Sequence, residues 1–392
     1  MRLHRMTALP VYLDNQATTP LDPAVRDSMW PYLTEYFGNP HSGDHRFGWD
    51  ASAAIRTARA QVAEFINAGD DEIVFTSGAT ESCNLALRGV AGHAHDSQRN
   101  RIVTLATEHP AVLETVHDLA ASGYELDVLP VDQDGLADLT ALEGALDDRT
   151  LIVSVMAVNN EIGVVQPLAD IAPRCRAVGA YLHTDATQAA GRLPIDVDAW
   201  GVDLLSLSGH KVYGPKGVGA LYVRSGVDLK PMISGGGQER GLRGGTLPTA
   251  LIVGFGTACE LATENQHRDG CRMVGLCGRL YGRLQDAHPR LRLFGHPTRR
   301  VAGNLNIGLP GVPADELIRN TAAHIAISTG SACSSASSEP SHVLLALGLD
   351  PETAATSVRI SLGRFTTDTD IDRAIEALCS IRSGRLAASE RG

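Results

Sequence analysis

From about Asp71 to Val223 short, β-branched apolar runs alternate with longer stretches whose apolar residues recur at helical spacing. Runs of that kind read as strands, and most are separated by enough chain for a crossover helix. The candidate strands are Glu72 to Thr76, Arg101 to Ala106, Glu125 to Leu129, Leu151 to Val158, Tyr181 to Thr184, Asp203 to Leu207 and Val218 to Val223. Strands joined in this way predict an α/β architecture, a mainly parallel sheet with helices on both faces. The Gly-rich stretch Ser234 to Gly245 leads into a long helical pattern from about Leu247 to Gln266. The charged, Arg-rich chain beyond it predicts a second, smaller domain, with the boundary near residue 260. Only Ser383 to Gly392 reads as a disordered tail.

Composition narrows the class. The 392 residues suit about two to three domains, and no apolar run reaches the roughly 18 residues of a membrane span. The N-terminus lacks the apolar core of a secretory signal, so the expected compartment is the cytoplasm. A net charge of -11 without a long basic run argues against nucleic acid as a direct partner. Only three lysines are present, Lys211, Lys216 and Lys230, so any lysine chemistry has three candidates. The seven cysteines form no CxxC pair, which fits neither a disulfide framework nor a zinc knuckle. Most read as buried thiols.

In an open α/β sheet, ligands collect beyond the carboxyl ends of the strands. Five such ends carry polar residues. Phe75 to Ser82 enters a helix through Ser, Gly and Thr, either an anion-binding turn or an ordinary helix cap. His109 stands before Pro110 and reads as a cap, a packing residue or a ligand contact. Asn159, Asn160 and Glu161 follow the most apolar strand and orient a ligand or make a turn. Asp185 and Gln188 end another strand, where a buried carboxylate needs a partner. Lys211 follows a fifth strand, beside His210 and a Gly/Pro-rich turn, and desolvation there favours the neutral amine of a Schiff-base lysine. Phosphate turn, acid, histidine and lysine together are the inventory for pyridoxal phosphate. A GxGxxG turn for a nicotinamide cofactor is absent.

These residues, with Tyr12-Leu-Asp-Asn-Gln-Ala-Thr-Thr-Pro20, Gly38-Asn-Pro-His-Ser42, Arg243-Gly-Gly-Thr-Leu-Pro248, Ser328-Thr-Gly-Ser-Ala-Cys-Ser-Ser335 and Val358-Arg-Ile-Ser-Leu-Gly363, resemble the cysteine desulfurases of the iron-sulfur assembly group. The resemblance spans nearly the whole chain. It implies a fold type I pyridoxal-phosphate transferase: a large domain over 17–260 with a mainly parallel seven-stranded sheet, and a small α+β domain from 1–16 and 261–392. It implies that Lys211 anchors the cofactor covalently, His109 stacks on its ring, Asp185 pairs with the ring nitrogen and Gln188 donates to the ring hydroxylate. Phosphate contacts are implied for Ala79, Thr80, Ser208, His210 and, across a homodimer interface, Thr246. Asn160, Arg359 and Asn39 are implied to bind substrate, with Arg359 forming a bidentate fork on its carboxylate.

The implied reaction takes sulfur from L-cysteine, releases alanine and leaves a persulfide on Cys333. The small polar residues around Cys333 suit an accessible loop thiol. A sulfur-acceptor protein is the implied partner, serving iron-sulfur clusters, tRNA or DNA sulfur modification. The long C-terminal extension with which housekeeping members dock the cluster scaffold is not recognisable after Arg385. The alternatives are a selenocysteine lyase, another enzyme of the same fold such as an aminotransferase, and a non-enzymatic sulfur carrier or assembly platform. Should Cys333 not be the nucleophile, Cys83 beside the phosphate turn is the next expectation.

Overall fold

The computed structural model describes residues 9–94, 98–330 and 340–381. In chain order its first half contains β1 (Val11–Tyr12), α1 (Pro23–Thr34), α2 (Arg46–Phe65), β2 (Ile73–Thr76), α3 (Ala79–His93), β3 (Arg101–Leu105), α4 (Pro110–Ala121), β4 (Glu125–Leu129) and α5 (Leu139–Ala145). There follow β5 (Thr150–Ser154), α6 (Leu168–Val178), β6 (Tyr181–Asp185), α7 (Val197–Trp200), β7 (Leu204–Ser208), β8 (Gly219–Val223) and α8 (Thr249–Ala287). The last part holds β9 (Arg292–Leu293), β10 (Asn304–Gly308), α9 (Ala314–Thr321), β11 (Ile325–Ala326), α10 (His342–Ala346), α11 (Pro351–Ala354), β12 (Ser357–Ser361) and α12 (Asp368–Cys379).

All seven candidate strands enter one sheet, ordered β2-β8-β7-β6-β5-β3-β4. β4, β3, β5, β6 and β7 pair in parallel, while β8 runs antiparallel to both β7 and β2. The reversal has a local cause: only Gly209 to Val218 separate β7 from β8, too little chain for a crossover helix. β5, β7 and β8 are buried along their whole length, as strands covered on both faces must be. Strand order reverses direction between β3 and β5, the position where a doubly wound sheet opens a crevice at its carboxyl edge.

One expected strand is shorter than its apolar run. Pairing in β5 stops at Ser154, although Val155 to Val158 stay buried. The chain there bends under the crevice, with Val155 and Ala157 donating to the carbonyls of His183 and Asp185. The long helix, by contrast, extends well past Gln266. α8 has 39 residues; Phe255, Ala258 and Cys259 on its first half join the core under the large sheet. Met273, Leu276, Leu280 and Leu284 on its second half join a separate core with Ile307, Ile360 and Ile371. That second core backs an antiparallel sheet of β12, β10 and β9 and the parallel β1–β11 pair. Residues 13–19 connect the two cores: Asn15 N–H donates to Ser361 and Thr19 N–H to His210.

Candidate active site

A cavity of 810 Å³ opens at the carboxyl edge of the large sheet, beside the strand-order reversal. Ala79, Thr80, His109, Asn160, Asp185, Gln188, Ser208, His210, Lys211 and Arg359 all line it. Segments that lie far apart in sequence therefore meet at one place. Lys211 lies in the single turn after β7, half-buried, and its Nζ donates to the carbonyls of Gln16 at 2.6 Å and Ala17 at 2.9 Å. Lys216 also lines the cavity but is exposed.

The turn from β2 into α3 is built for close approach. Gly78 has φ 152°, a conformation L side chains avoid, and a side chain on Gly219 would strike its Cα at 2.7 Å. The two backbones therefore pass in contact, holding the start of α3 over the sheet edge. α3 begins without a side-chain cap, so first-turn N–H groups and the helix dipole are open to the cavity. Glu81 in that turn is held by Arg243 at 2.8 Å, and hydrogen bonds from Arg243 and Ser77 outweigh its burial and keep its carboxyl below the usual range. Ser208 and His210 face the same region. Burial, with Lys211 and Lys216 nearby, pushes the His210 imidazole down to about 4.

His109 combines two of its sequence readings. Its Nδ1 accepts the Ala111 N–H at 3.1 Å, capping α4, while the ring lines the cavity. A neutral ring that accepts at Nδ1 carries its proton on Nε2. Burial lowers its pKa, and the charge of Lys211 acts in the same direction against the opposing pull of Asp185. Asp185 itself is buried at the end of β6, where its Oδ1 accepts the Thr187 N–H at 2.9 Å.

Under Asp185 lies a polar layer that sequence reading did not single out. His183 is wholly buried between Ser154 Oγ at 2.8 Å and Ser206 Oγ at 3.0 Å, and burial pushes its imidazole down to about 4. Glu108 accepts the Met156 N–H at 2.6 Å and is held well above the carboxylate range by burial. Strand alternation offered the only signal: His183 and Asp185 are two apart on β6 and share a face.

The opposite wall comes from the second core. Arg359 on β12 is buried and pairs with Asp14 Oδ1 at 2.8 Å, a residue just past β1. Glu161 accepts a 2.6 Å hydrogen bond from Ser341, and its carboxyl is pushed up by burial. His342 lines the cavity as well, donating from Nε2 to the Glu108 carbonyl at 3.0 Å. Asp14 and His342 escaped sequence reading; each stands at the start or end of a short element with no periodic pattern.

Two expected residues are elsewhere. Asn39 and Thr246 are exposed and do not line this chain's cavity. Cys333 lies outside the described residues. The reserve nucleophile Cys83 is corrected: it is fully buried on α3, where burial first, then Asp185, raises its thiol well above the ordinary value. A thiol so held is neither exposed nor ionised.

Comparison with known proteins adds a family. The model described as aminotransferase class-V matches residues 11–374. The cysteine desulfurase IscS of Rickettsia africae is 47% identical over 97% of this chain and 92% of its own. A solved NifS-like protein superposes with a TM-score of 0.89 at 35% identity, covering 95% of this chain and 98% of that one. SspA in complex with cysteine has a TM-score of 0.79 at 38% identity, covering 91% and 99%.

Proposed function

We infer the reaction in detail from one premise: the chain belongs to the aminotransferase class-V family and, within it, to the cysteine desulfurases. The substrate is L-cysteine, the products are alanine and enzyme-bound sulfur, and the cofactor is pyridoxal phosphate. The observation that carries this reading is the convergence of Lys211, Asp185, His109 and the uncapped start of α3 on one cavity.

The residues present fit that cofactor. Open N–H groups at Ala79 and Thr80, with Ser208 and His210, suit its phosphate. Asp185 suits the ring nitrogen and a neutral His109 suits the ring face. The buried Thr187 Oγ1 has no partner among the described residues, as expected of a polar group that faces a ligand. When bound, the cofactor supplies an electron sink for the bonds at the substrate's Cα.

The chain's own groups divide the remaining work. Lys211 anchors the cofactor and, once released, takes the Cα proton of L-cysteine. Arg359 and Asn160 hold the substrate carboxylate, with Asn39 also assigned to substrate. Gln188 donates to the ring hydroxylate. The Cys333 thiolate attacks the substrate sulfur. The Cβ–S bond breaks with its electron pair left on Cβ, which takes up a proton and becomes the methyl group of alanine. The sulfur stays on Cys333 as a persulfide for an acceptor protein. The relatives' name points to an iron-sulfur scaffold as that acceptor, with tRNA or DNA modification enzymes as the other candidates.

We extend the reading to a cytoplasmic homodimer divided near residues 16 and 260 into a large and a small domain. Trp30, Phe37, Phe47 and Trp49 are all more than half exposed, and Phe37 stacks on Phe47 at 5.4 Å. Exposed aromatic side chains of this kind suit a partner subunit. Thr246, exposed and away from its own cavity, suits the partner's phosphate site.

The deciding assay incubates holoenzyme with L-cysteine and an added dithiol, which reduces the persulfide and releases its outer sulfur as sulfide, and measures alanine and sulfide. Equal amounts of both, with no need for a keto acid, are expected. 3-Mercaptopyruvate formed only with a keto-acid acceptor, and no sulfide, would make the chain an aminotransferase instead.

A further inference from the structure

Arg359 reaches the cavity with its guanidinium almost fully engaged. Its side chain is 3% exposed. Nη1 donates to the carbonyls of Asn160 at 2.8 Å and Gly330 at 3.3 Å. Nη2 donates to Asp14 Oδ1 at 2.8 Å and Ser328 Oγ at 3.0 Å. Ser328 Oγ in turn donates to Asp14 Oδ1 at 3.0 Å, so one carboxylate oxygen gathers both neighbours. Nε is buried and has no partner among the described residues. A guanidinium has five N–H groups, so four are taken and one is left.

A bidentate fork on a carboxylate needs two N–H groups on one edge of the guanidinium. The edge that includes the buried, unpartnered Nε is completed by Nη2, which Asp14 and Ser328 already hold. We propose that Asp14 is an internal carboxylate that competes with the substrate's carboxylate for Arg359 and thereby sets the affinity of this subsite. The proposal rests on the assignment of Arg359 to the substrate carboxylate.

A buried guanidinium needs a counter-charge, and Asp14 supplies it before substrate arrives. Among the described residues Asp14 is the one carboxylate in an ion pair with Arg359. Glu161 lies near as well, but burial favours its neutral form. An arriving carboxylate either displaces Asp14 from Nη2 or sits beside it on the same cation. Displacement loses an existing ion pair, and sharing places two like charges together, so both routes weaken binding. The arrangement favours ligands with a single carboxylate and limits how tightly substrate and product are held. Looser ground-state binding leaves more of the interaction for the reacting state.

A purely architectural Asp14 predicts the opposite response to neutralisation. Asn at this position keeps an oxygen that accepts from Nη2 and removes only the charge. The experiment uses holoenzyme and two probes, read by titration calorimetry. One is 3-mercaptopropionate, a carboxylate with no amine to react with the cofactor, and the other is cysteamine, which lacks the carboxylate. For Asp14→Asn, 3-mercaptopropionate should bind about tenfold tighter, as expected for removing one like charge nearby, and cysteamine should be unchanged. Asp14→Ser, a smaller neutral replacement, should move the first probe the same way if the Asn variant folds poorly. Weaker or unchanged 3-mercaptopropionate binding in both variants overturns the proposal. Arg359→Lys separates the two layers of the argument. If it leaves 3-mercaptopropionate binding intact, the carboxylate assignment fails and the proposal with it. If it weakens binding while neutral Asp14 variants do not strengthen it, the proposal alone fails.

Discussion

The carbonyl oxygen of Gln16 lies 2.6 Å from Nζ of Lys211, and that of Ala17 lies 2.9 Å away. A strap from the N-terminal end of the chain therefore aims the amine at the end of β7. Lys216, the second lysine at the cavity, is exposed and sits on the Gly/Pro-rich turn. Holoenzyme treated with borohydride should carry its reduced cofactor on the Lys211 peptide. Lys211→Ala should carry none. Peptide mapping checks this, and a label on Lys216 would reverse the assignment.

Sulfur should follow the same logic at Cys333. Cys333→Ala keeps Lys211, Asp185 and the phosphate donors, so it should bind cofactor and L-cysteine yet form no persulfide. Mass spectrometry after one turnover should find no sulfur on Cys83, whose buried thiol is held well above its ordinary pKa. Sulfur on Cys83 at the wild-type rate would move the nucleophile there.

Truncating Arg359 should act mainly on binding. Its side chain is buried, so loss of the guanidinium leaves a substrate carboxylate, and Asp14, without a charge partner. Charge-pair truncations of this kind cost about 2 to 5 kcal/mol. For Arg359→Ala the KM for L-cysteine should rise by at least about thirtyfold, with a smaller change in kcat. Separate measurement of the two constants checks this; a fall confined to kcat contradicts it.

Sequence alone reached the sheet and most of the cavity because both are local signals. β-branched runs mark strands, and a doubly wound sheet presents its ligands at their carboxyl ends, so Lys211, Asp185 and His109 could be weighed without coordinates. An apolar run does not say where pairing stops, so the expected strand to Val158 overran the β5 ladder, which ends at Ser154. The end of α8 was misplaced as well. The helix expected to end near Gln266, where the charged, Arg-rich pattern sets in, runs on to Ala287. Packing of Met273, Leu276, Leu280 and Leu284 against the second core holds it, while Gly270, Gly275, Gly278 and Gly282 face open space. The Asp14–Arg359 pair was out of reach, since 345 positions separate its members and neither lies on a periodic stripe.

Acid should destabilise the fold through His183. The imidazole is wholly buried and titrates near 4 in the folded chain, chiefly through burial, against an ordinary value of 6.5. Between those values the unfolded chain binds a proton that the folded chain does not, so stability rises with pH across the window. The contribution is complete above 6.5 and is lost as pH falls towards 4, amounting to about 3 kcal/mol. His210 is shifted in the same direction. Urea midpoints of wild type and His183→Asn from pH 7 to 4 check the slope. The variant should show a shallower decline, and equal slopes would mean that His183 is not the group responsible.

Subunit mixing tests whether each site is shared. Thr246 is exposed and absent from its own cavity, so its implied phosphate contact has to be made in the neighbouring subunit. Lys211→Ala disables the site of its own chain. Thr246→Glu brings a negative charge to the phosphate and, on this reading, disables only the partner's site. Each variant alone should be nearly inactive, because in a symmetric dimer both sites carry the defect. A mixed dimer differs: the Thr246→Glu chain keeps its own Lys211 and receives an intact Thr246 from the Lys211→Ala chain, so one of the two sites is whole. Co-expressed chains with separate affinity tags should give mixed dimers with about half the wild-type activity per dimer. If mixed dimers are as inactive as their parents, Thr246 acts within its own subunit, and if Thr246→Glu alone keeps full activity it makes no phosphate contact; either result makes the shared-site dimer wrong.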